Sequence, residues 1–185
     1  MQIIRFKIPG PFIIKPKILK DSRGIFFEKY RQEIIDSHLG YKIKFVQENQ
    51  SISKKNVFRG FHFQISPYPQ SKLVSVSKGK ILDVIIDLRK NSKYVGKYLK
   101  VHLDSFYNNS LFVPKGFAHG FFSLTDNVVV NYKVDNYYSQ KHEKCLSLED
   151  VNLKLNLNSL IKKRIVSKKD KSGLSLKEIL DNNYF

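Results

Sequence analysis

The chain has 185 residues, 42% of them hydrophobic and 26% charged, which suits one soluble globular domain with a substantial core. A single cysteine, Cys145, excludes an intramolecular disulfide and any multi-cysteine zinc centre; no run approaches the ~18–20 apolar residues of a membrane span, and Met1–Pro11 lacks the apolar core of a signal peptide, so a reduced cytoplasmic compartment is expected. The balance of 33 Lys plus Arg against 16 Asp plus Glu gives +17, which favours anionic partners such as nucleic acid or a phosphorylated metabolite, although AT-rich coding also produces a chain rich in Lys, Ile and Asn.

There is no internal repeat and no low-complexity linker. In chain order, Phe12 to Ile18 alternates weakly as a strand, and Asp21-Ser22-Arg23-Gly24 is a turn leading into Ile25-Phe26-Phe27-Glu28. Arg31 to Leu39 predicts a short helix stopped by Gly40. Arg59 to Gln64 reads as a strand in which Gly60, His62 and Gln64 share a face, the glycine leaving room for a ligand beside the histidine. Lys72–Lys78 alternates, with Leu73, Ser75 and Ser77 opposite Lys72, Val74 and Val76, and Lys78-Gly79-Lys80 turns into the β-branched strand Ile81–Leu88.

Further strands are predicted at Lys97–Leu103, Ser110–Val113 and Val128–Val134. Pro114-Lys115-Gly116 is a turn with preset φ at proline and tolerance of positive φ at glycine, and it leads into an aromatic-rich strand carrying His119. The densest basic run, Lys162 to Lys171, is interrupted by Ile165 and Val166. Ser175-Leu176-Lys177-Glu178 is a capping-box pattern that opens a terminal helix. The expected architecture is one mostly β domain over residues 1–185, a sandwich or barrel with a small C-terminal helical tail.

Candidate chemistry gathers at Arg59–Gln64, at Pro114–Phe121 and at Asn131–Tyr138. A metal-binding barrel commonly uses a His-x-His pair; Gly60 and Gln64 flank His62, and His38, His102 and His142 show no ligand spacing with it, so no metal site is expected. The blocks Asp21–Gly24 with Phe27-Glu28, Gln47–Ser53, Arg59–Gln64, Lys72–Val74, Gly79–Val84, Asp87–Arg89, Pro114–Phe121, Tyr132-Lys133, Tyr137-Tyr138 and Ser167–Asp170 resemble, in order, the successive motifs of the dTDP-4-dehydrorhamnose 3,5-epimerase family. The resemblance runs from about residue 12 to residue 172. The chain departs from the family's usual pattern in having no tryptophan: Leu146–Asp150 and Leu153–Leu157 occupy the region where tryptophan-containing segments normally follow the glutamate.

The resemblance implies a cupin-type jelly roll, a homodimer and no metal or organic cofactor. It implies a dTDP-linked 4-keto-6-deoxy sugar as substrate, inverted at C3 and C5, with the product serving carbohydrate or polysaccharide biosynthesis. A keto group acidifies the protons on both neighbouring carbons, and inversion needs a base on one face and an acid on the other. The resemblance assigns the base to His62 and the acid to Tyr132. Asp170 would orient the imidazole, Asp83 is a second acidic candidate, and Lys72 would stabilise the enolate oxygen. Substrate contacts are implied for Arg23, Phe26, Glu28, Gln47, Asn49, Arg59, His119, Tyr138, Glu143 and Lys169. Arg23 and Arg59 suit the diphosphate because a guanidinium meets phosphate oxygens two at a time, and Tyr138 would stack on the nucleobase. A C3-only or C5-only epimerase, a 3,4-ketoisomerase, or an enzyme for another nucleotide sugar keeps the same fold. A non-catalytic nucleic-acid binder is disfavoured, since no nucleic-acid module is present.

Overall fold

A computed structural model describes residues 1–157, 160 and 162–185. Thirteen strands lie among the described residues: β1 Gln2–Arg5, β2 Phe12–Lys15, β3 Ile18–Asp21, β4 Gly24–Phe27, β5 Gln47–Ser53, β6 Phe58–Gln64, β7 Lys72–Lys78, β8 Lys80–Asp87, β9 Tyr98–Asp104, β10 Ser110–Val113, β11 Phe117–Ser123, β12 Val128–Val134 and β13 Glu143–Cys145. Helices among the described residues include α1 Gln32–Leu39, α2 Lys168–Lys171 and α3 Leu176–Asp181, with a 3₁₀ turn at Val151–Leu153.

Two antiparallel sheets face each other, one ordered β1-β2-β10-β7-β12-β5 and the other β13-β6-β11-β8-β9, while β3 and β4 form a separate hairpin. The strand pattern predicted a sandwich or barrel, and the resemblance implied the cupin-type jelly roll that is found. Between the sheets lie Val74, Val76, Ile81, Ile85, Leu103, Leu111, Phe121 and Val130. The outer face of the five-stranded sheet buries Phe58, Phe61, Phe63, Leu82 and Val84 under Leu146, Leu148, Leu153, Leu155, Leu157 and Ile179. The leucines that stand in place of the family's tryptophan segment therefore cover this sheet. On the six-stranded sheet, α1 covers Phe12, Ile14, Leu73 and Phe112 with the fully buried Ile35. Strand β8 is covered on both faces, hence its largely apolar sequence, interrupted inside by the buried Asp83.

Several local readings hold. Gly40 caps α1 at φ 75°, its N–H donating to Asp36 O, and Ser175 and Glu178 make both bonds of a capping box. Others need correction. Phe12 to Ile18 is two strands, because Pro16 has no N–H to continue a ladder. Strands β1 and β13 lack alternation long enough to read, and β5 is too polar to read as a strand from its composition.

The largest correction concerns β6. His62 pairs with His119, but Arg59 pairs with Phe121, so Gly60 and Phe61 together oppose Gly120. This extra residue is a β-bulge, and it shifts the alternation by one. Phe58, Phe61 and Phe63 all enter the outer core, while Arg59 and His62, which strict alternation would put on opposite faces, both reach the cavity between the sheets. Gly60 does not make room for a ligand. At φ +132°, a Cβ there would lie 2.4 Å from Gly120 Cα and 2.8 Å from His119 O. The two glycines let β6 and β11 touch backbone to backbone.

Gly60→Ala is therefore expected to cost about 1–3 kcal/mol or more, the range for overpacking a filled interior, and to lower the urea midpoint. An unchanged midpoint would show that the strands part without penalty.

Candidate active site

At one end of the sandwich the inner rows of both sheets turn polar and enclose a cavity of about 600 Å³. An adjoining cavity of about 290 Å³ shares His62, Lys72, Tyr132 and Glu143 with it. The five-stranded sheet contributes Arg59 and His62 from β6, His119 from β11 and Glu143 from β13. The six-stranded sheet contributes Lys72 from β7 and Tyr132 from β12, with Gln47 and Asn49 of β5 facing the smaller cavity. Imidazole and phenol thus enter from opposite sheets.

Asp170 arrives from 108 residues away. Ile165 pairs with the backbone of Asn56 and Phe58, and the chain then enters α2, whose Ser167 cap accepts from the Asp170 N–H at 3.1 Å. The Asp170 carboxylate lies 2.7 Å from His62 Nε2. Burial pushes its pKa up, but the His62 contact, the Gly60 N–H and the Ser167 hydroxyl outweigh burial and hold it below the usual carboxylate range. His62 Nδ1 is left facing the cavity, 3.9 Å from Glu143 Oε1.

A second pair lies beside the first. His119 Nε2 is 2.8 Å from Oδ2 of the fully buried Asp83. Lys72 is buried and its ammonium donates to His62 O at 3.2 Å. Burial lowers its pKa to about 8, against the opposing pull of Glu143 and Asp83. Tyr132 shifts the other way: burial first, then the Glu143 charge, raise its phenol above the ordinary value. At neutral pH it keeps its proton.

Glu143 lies at the centre of a polar bridge. It accepts from Tyr138 Oη at 2.7 Å and from the Lys169 ammonium. Burial raises its pKa, yet these two donors and His62 hold it below the ordinary glutamate value. The Tyr138 backbone N–H donates to Gln47 Oε1 at 3.0 Å, and the next N–H, of Ser139, donates to Gln64 Oε1 at 2.6 Å. Gln64, not among the expected substrate contacts, anchors the turn that presents Tyr138.

Of the predicted site residues, the fold gathers His62, Asp170, Lys72, Tyr132, Arg59, His119, Glu143 and Lys169 around the larger cavity, and Gln47, Asn49 and Tyr138 around the smaller one. Arg23, Phe26 and Glu28 stand apart on the β3–β4 hairpin and its exit. Arg23 pairs with Asp21, Glu28 with Arg31, and Phe26 is 71% exposed. Sequence reasoning missed Ser51, Val57, Phe121, Ile165 and Val166, which wall the larger cavity. The apolar pair that interrupts the basic run was the available signal for the last two.

Among the described residues, one trio offers possible metal donors, His62, Cys145 and Asp170, within 4.8 Å of one another. Sequence spacing does not reveal this trio, because Cys145 meets His62 only through strand register. The donors fit a metal poorly. Asp170 is committed to Nε2, and burial, with Asp170 and Glu143 nearby, pushes the thiol up to about 12, far from the thiolate a metal takes.

Two histidine–carboxylate pairs, a buried lysine and a protonated phenol around one cavity of a cupin-type scaffold are groups able to give and take protons. The model of the dTDP-4-dehydrorhamnose 3,5-epimerase family matches residues 5–178. A Shigella flexneri dTDP-4-dehydrorhamnose 3,5-epimerase is 37% identical over 185 residues, covering 100% of this chain and 99% of its own. A Methanothermobacter thermautotrophicus one is 36% identical over 178 residues, covering 96% and 95%. The Legionella pneumophila crystal structure of dTDP-6-deoxy-D-glucose-3,5-epimerase in complex with dTDP-4-keto-L-rhamnose superposes with a TM-score of 0.90 at 36% identity, covering 97% of this chain and 96% of that one. The chain belongs to the dTDP-4-dehydrorhamnose 3,5-epimerase family of isomerases.

The burial of Lys72 can be read directly. Its ¹³Cε resonance should titrate near pH 8 rather than at the ordinary lysine value. Because the folded pKa is the lower one, the unfolded chain holds more protons between the two values, so this group's contribution to stability grows as pH rises through that interval. Lys72→Met should remove that increment. An ordinary midpoint would mean the ammonium is hydrated.

Proposed function

We propose that this protein converts dTDP-4-dehydro-6-deoxy-D-glucose to dTDP-4-dehydro-L-rhamnose by inverting C3 and C5. The supporting observation is the entry of His62, backed by Asp170, and Tyr132 into one cavity from opposite sheets, because a sugar ring held between them would have a base on one face and an acid on the other. Asp170 holds Nε2, so Nδ1 takes the proton from the carbon beside the ketone. The electron pair moves into the enolate, whose oxygen the Lys72 ammonium stabilises, an effect whose loss typically costs ~10²–10³ in rate. The Tyr132 phenol returns a proton to the opposite face. The substrate's own ketone acidifies both positions, so the chemistry calls for no cofactor and no metal.

Arg59 and Lys169 would bind the diphosphate, with His119 and Glu143 beside the sugar and Gln47, Asn49 and Tyr138 toward the nucleoside. We further propose a cytoplasmic homodimer. In support, the β3–β4 hairpin exposes Leu19, Ile25 and Phe26, and Arg23, Phe26 and Glu28 line neither cavity of their own chain. A second copy laying this hairpin over the cavity mouth would bring those three residues to the nucleotide.

The reaction is tested in D₂O with NMR detection. His62→Asn should slow deuterium uptake at C3 and C5 alike by about 10²–10⁴; a loss below about tenfold would remove it as the base. Tyr132→Phe should continue exchange with retained configuration, forming little L-configured product. Equal losses of exchange and inversion would assign Tyr132 to binding instead.

The dimer is tested by mixing. Arg23→Ala and His62→Ala proteins, each nearly inactive, should regain activity when unfolded and refolded together, because one hybrid site carries neither change. Absence of recovery, with dimers verified by sedimentation, would place the hairpin's action within its own chain.

A further inference from the structure

Double inversion poses a problem that one acid and one base do not solve, and the surroundings of His62 suggest the answer. This reasoning rests on the proposed two-centre epimerisation. At the first carbon the C–H bond breaks, its electron pair enters the enolate and its proton goes to His62 Nδ1. The enolate then collapses to the ketone as Tyr132 delivers its proton to the other face. The site is left with an imidazolium and a phenolate, the wrong state for the second carbon. Before another inversion, Nδ1 must lose a proton and the Tyr132 oxygen must gain one.

Among the described residues, His62 has two carboxylates within 4 Å. Asp170 is committed to Nε2, to the Gly60 N–H and to Ser167. The other is Glu143, whose Oε1 faces the reactive Nδ1 at 3.9 Å, a gap that a small turn of either side chain closes to hydrogen-bond distance. Its other oxygen is held by Tyr138 and Lys169, both half in solvent. Glu143 lines both cavities together with His62 and Tyr132. It therefore reaches from the reacting nitrogen to the water at the rim.

We infer that Glu143 carries the proton off His62 Nδ1 between the two inversions and so resets the base. The proton passes from Nδ1 to the Glu143 carboxylate and from there to water at the Tyr138–Lys169 rim, while Tyr132 recovers one from cavity water. One proton leaves and one returns, so the cycle balances without a co-reactant. Lys169 and Tyr138 keep the carboxylate ionised between transfers, ready to accept.

The test is quenched flow in D₂O with dTDP-4-dehydro-6-deoxy-D-glucose, following the first and second inversions separately by mass and NMR. In Glu143→Gln the ratio of second to first rate constants should fall at least tenfold, and singly inverted sugar should accumulate. Glu143→Asp keeps a carboxylate and should restore most of the ratio. Asp170→Asn, which weakens the base itself, should slow both steps by similar factors. An unchanged ratio in Glu143→Gln, whether the two steps fall together or only KM rises, would overturn the assignment, as would identical behaviour of the Gln and Asp variants. If the unaltered protein fails to exchange either carbon of this substrate, the proposed function itself fails, and that outcome is distinct from the others.

Discussion

The site depends on the contact between Gly60 and Gly120. With no Cβ on either residue, β6 and β11 approach closely enough for two residues of one strand to oppose a single residue of the other. That bulge turns Arg59 and His62 to the same side and sends Phe58, Phe61 and Phe63 to the other, where they anchor the strand in the outer core. A regular strand would place either the cation or the imidazole in apolar packing, where neither could be satisfied. The same register sets His62 against His119 and Cys145, so the neighbours of this imidazole are fixed by backbone pairing.

Burial then sets the charge states. The cavity lies inside a sandwich whose remaining inner positions are apolar, so each ionisable group responds to how far its partners compensate for lost water. Asp170 and Glu143 are hydrogen-bonded from several directions and stay ionised despite burial. Lys72 donates to one carbonyl among the described residues and is pulled down to about 8. Tyr132 is raised and keeps its proton. One buried environment thus yields anionic carboxylates, a labile ammonium and a protonated phenol side by side. Lys72 and Tyr132 are also the more deeply buried of the four, so the division follows from depth together with partner count.

The net charge of +17 is not gathered at this site. Lys169 is tied to Glu143 and Arg164 to Glu149, while Ile165 and Val166 inside the basic run turn to the cavity wall. The run from Lys162 to Lys171 is a short backbone tether that brings Asp170 to His62, flanked by cations. Its apolar interruption is the part that fixes its position.

Much of this was legible in the sequence because it is local. Alternation marked β7, β-branched content marked β8, Gly40 and Ser175 marked helix ends, and motifs met in family order implied the jelly roll and most of the residues now gathered around the two cavities. Other features required the folded chain, because they depend on distances that sequence spacing does not encode. A bulge changes which residues share a face, and only the partner strand reveals it. The resemblance implies the meeting of Asp170 with His62, 108 residues away, but the contact of Cys145 with His62 and the approach of Glu143 to Nδ1 arise only from strand register. The hairpin carrying Arg23, Phe26 and Glu28 lies outside its own chain's cavity, a matter of topology that motif order cannot express. The sequence by itself determined the side-chain chemistry and the local elements, since these follow from residue type and short-range geometry; tertiary structure alone decided which groups share a dry space, and with it their charge.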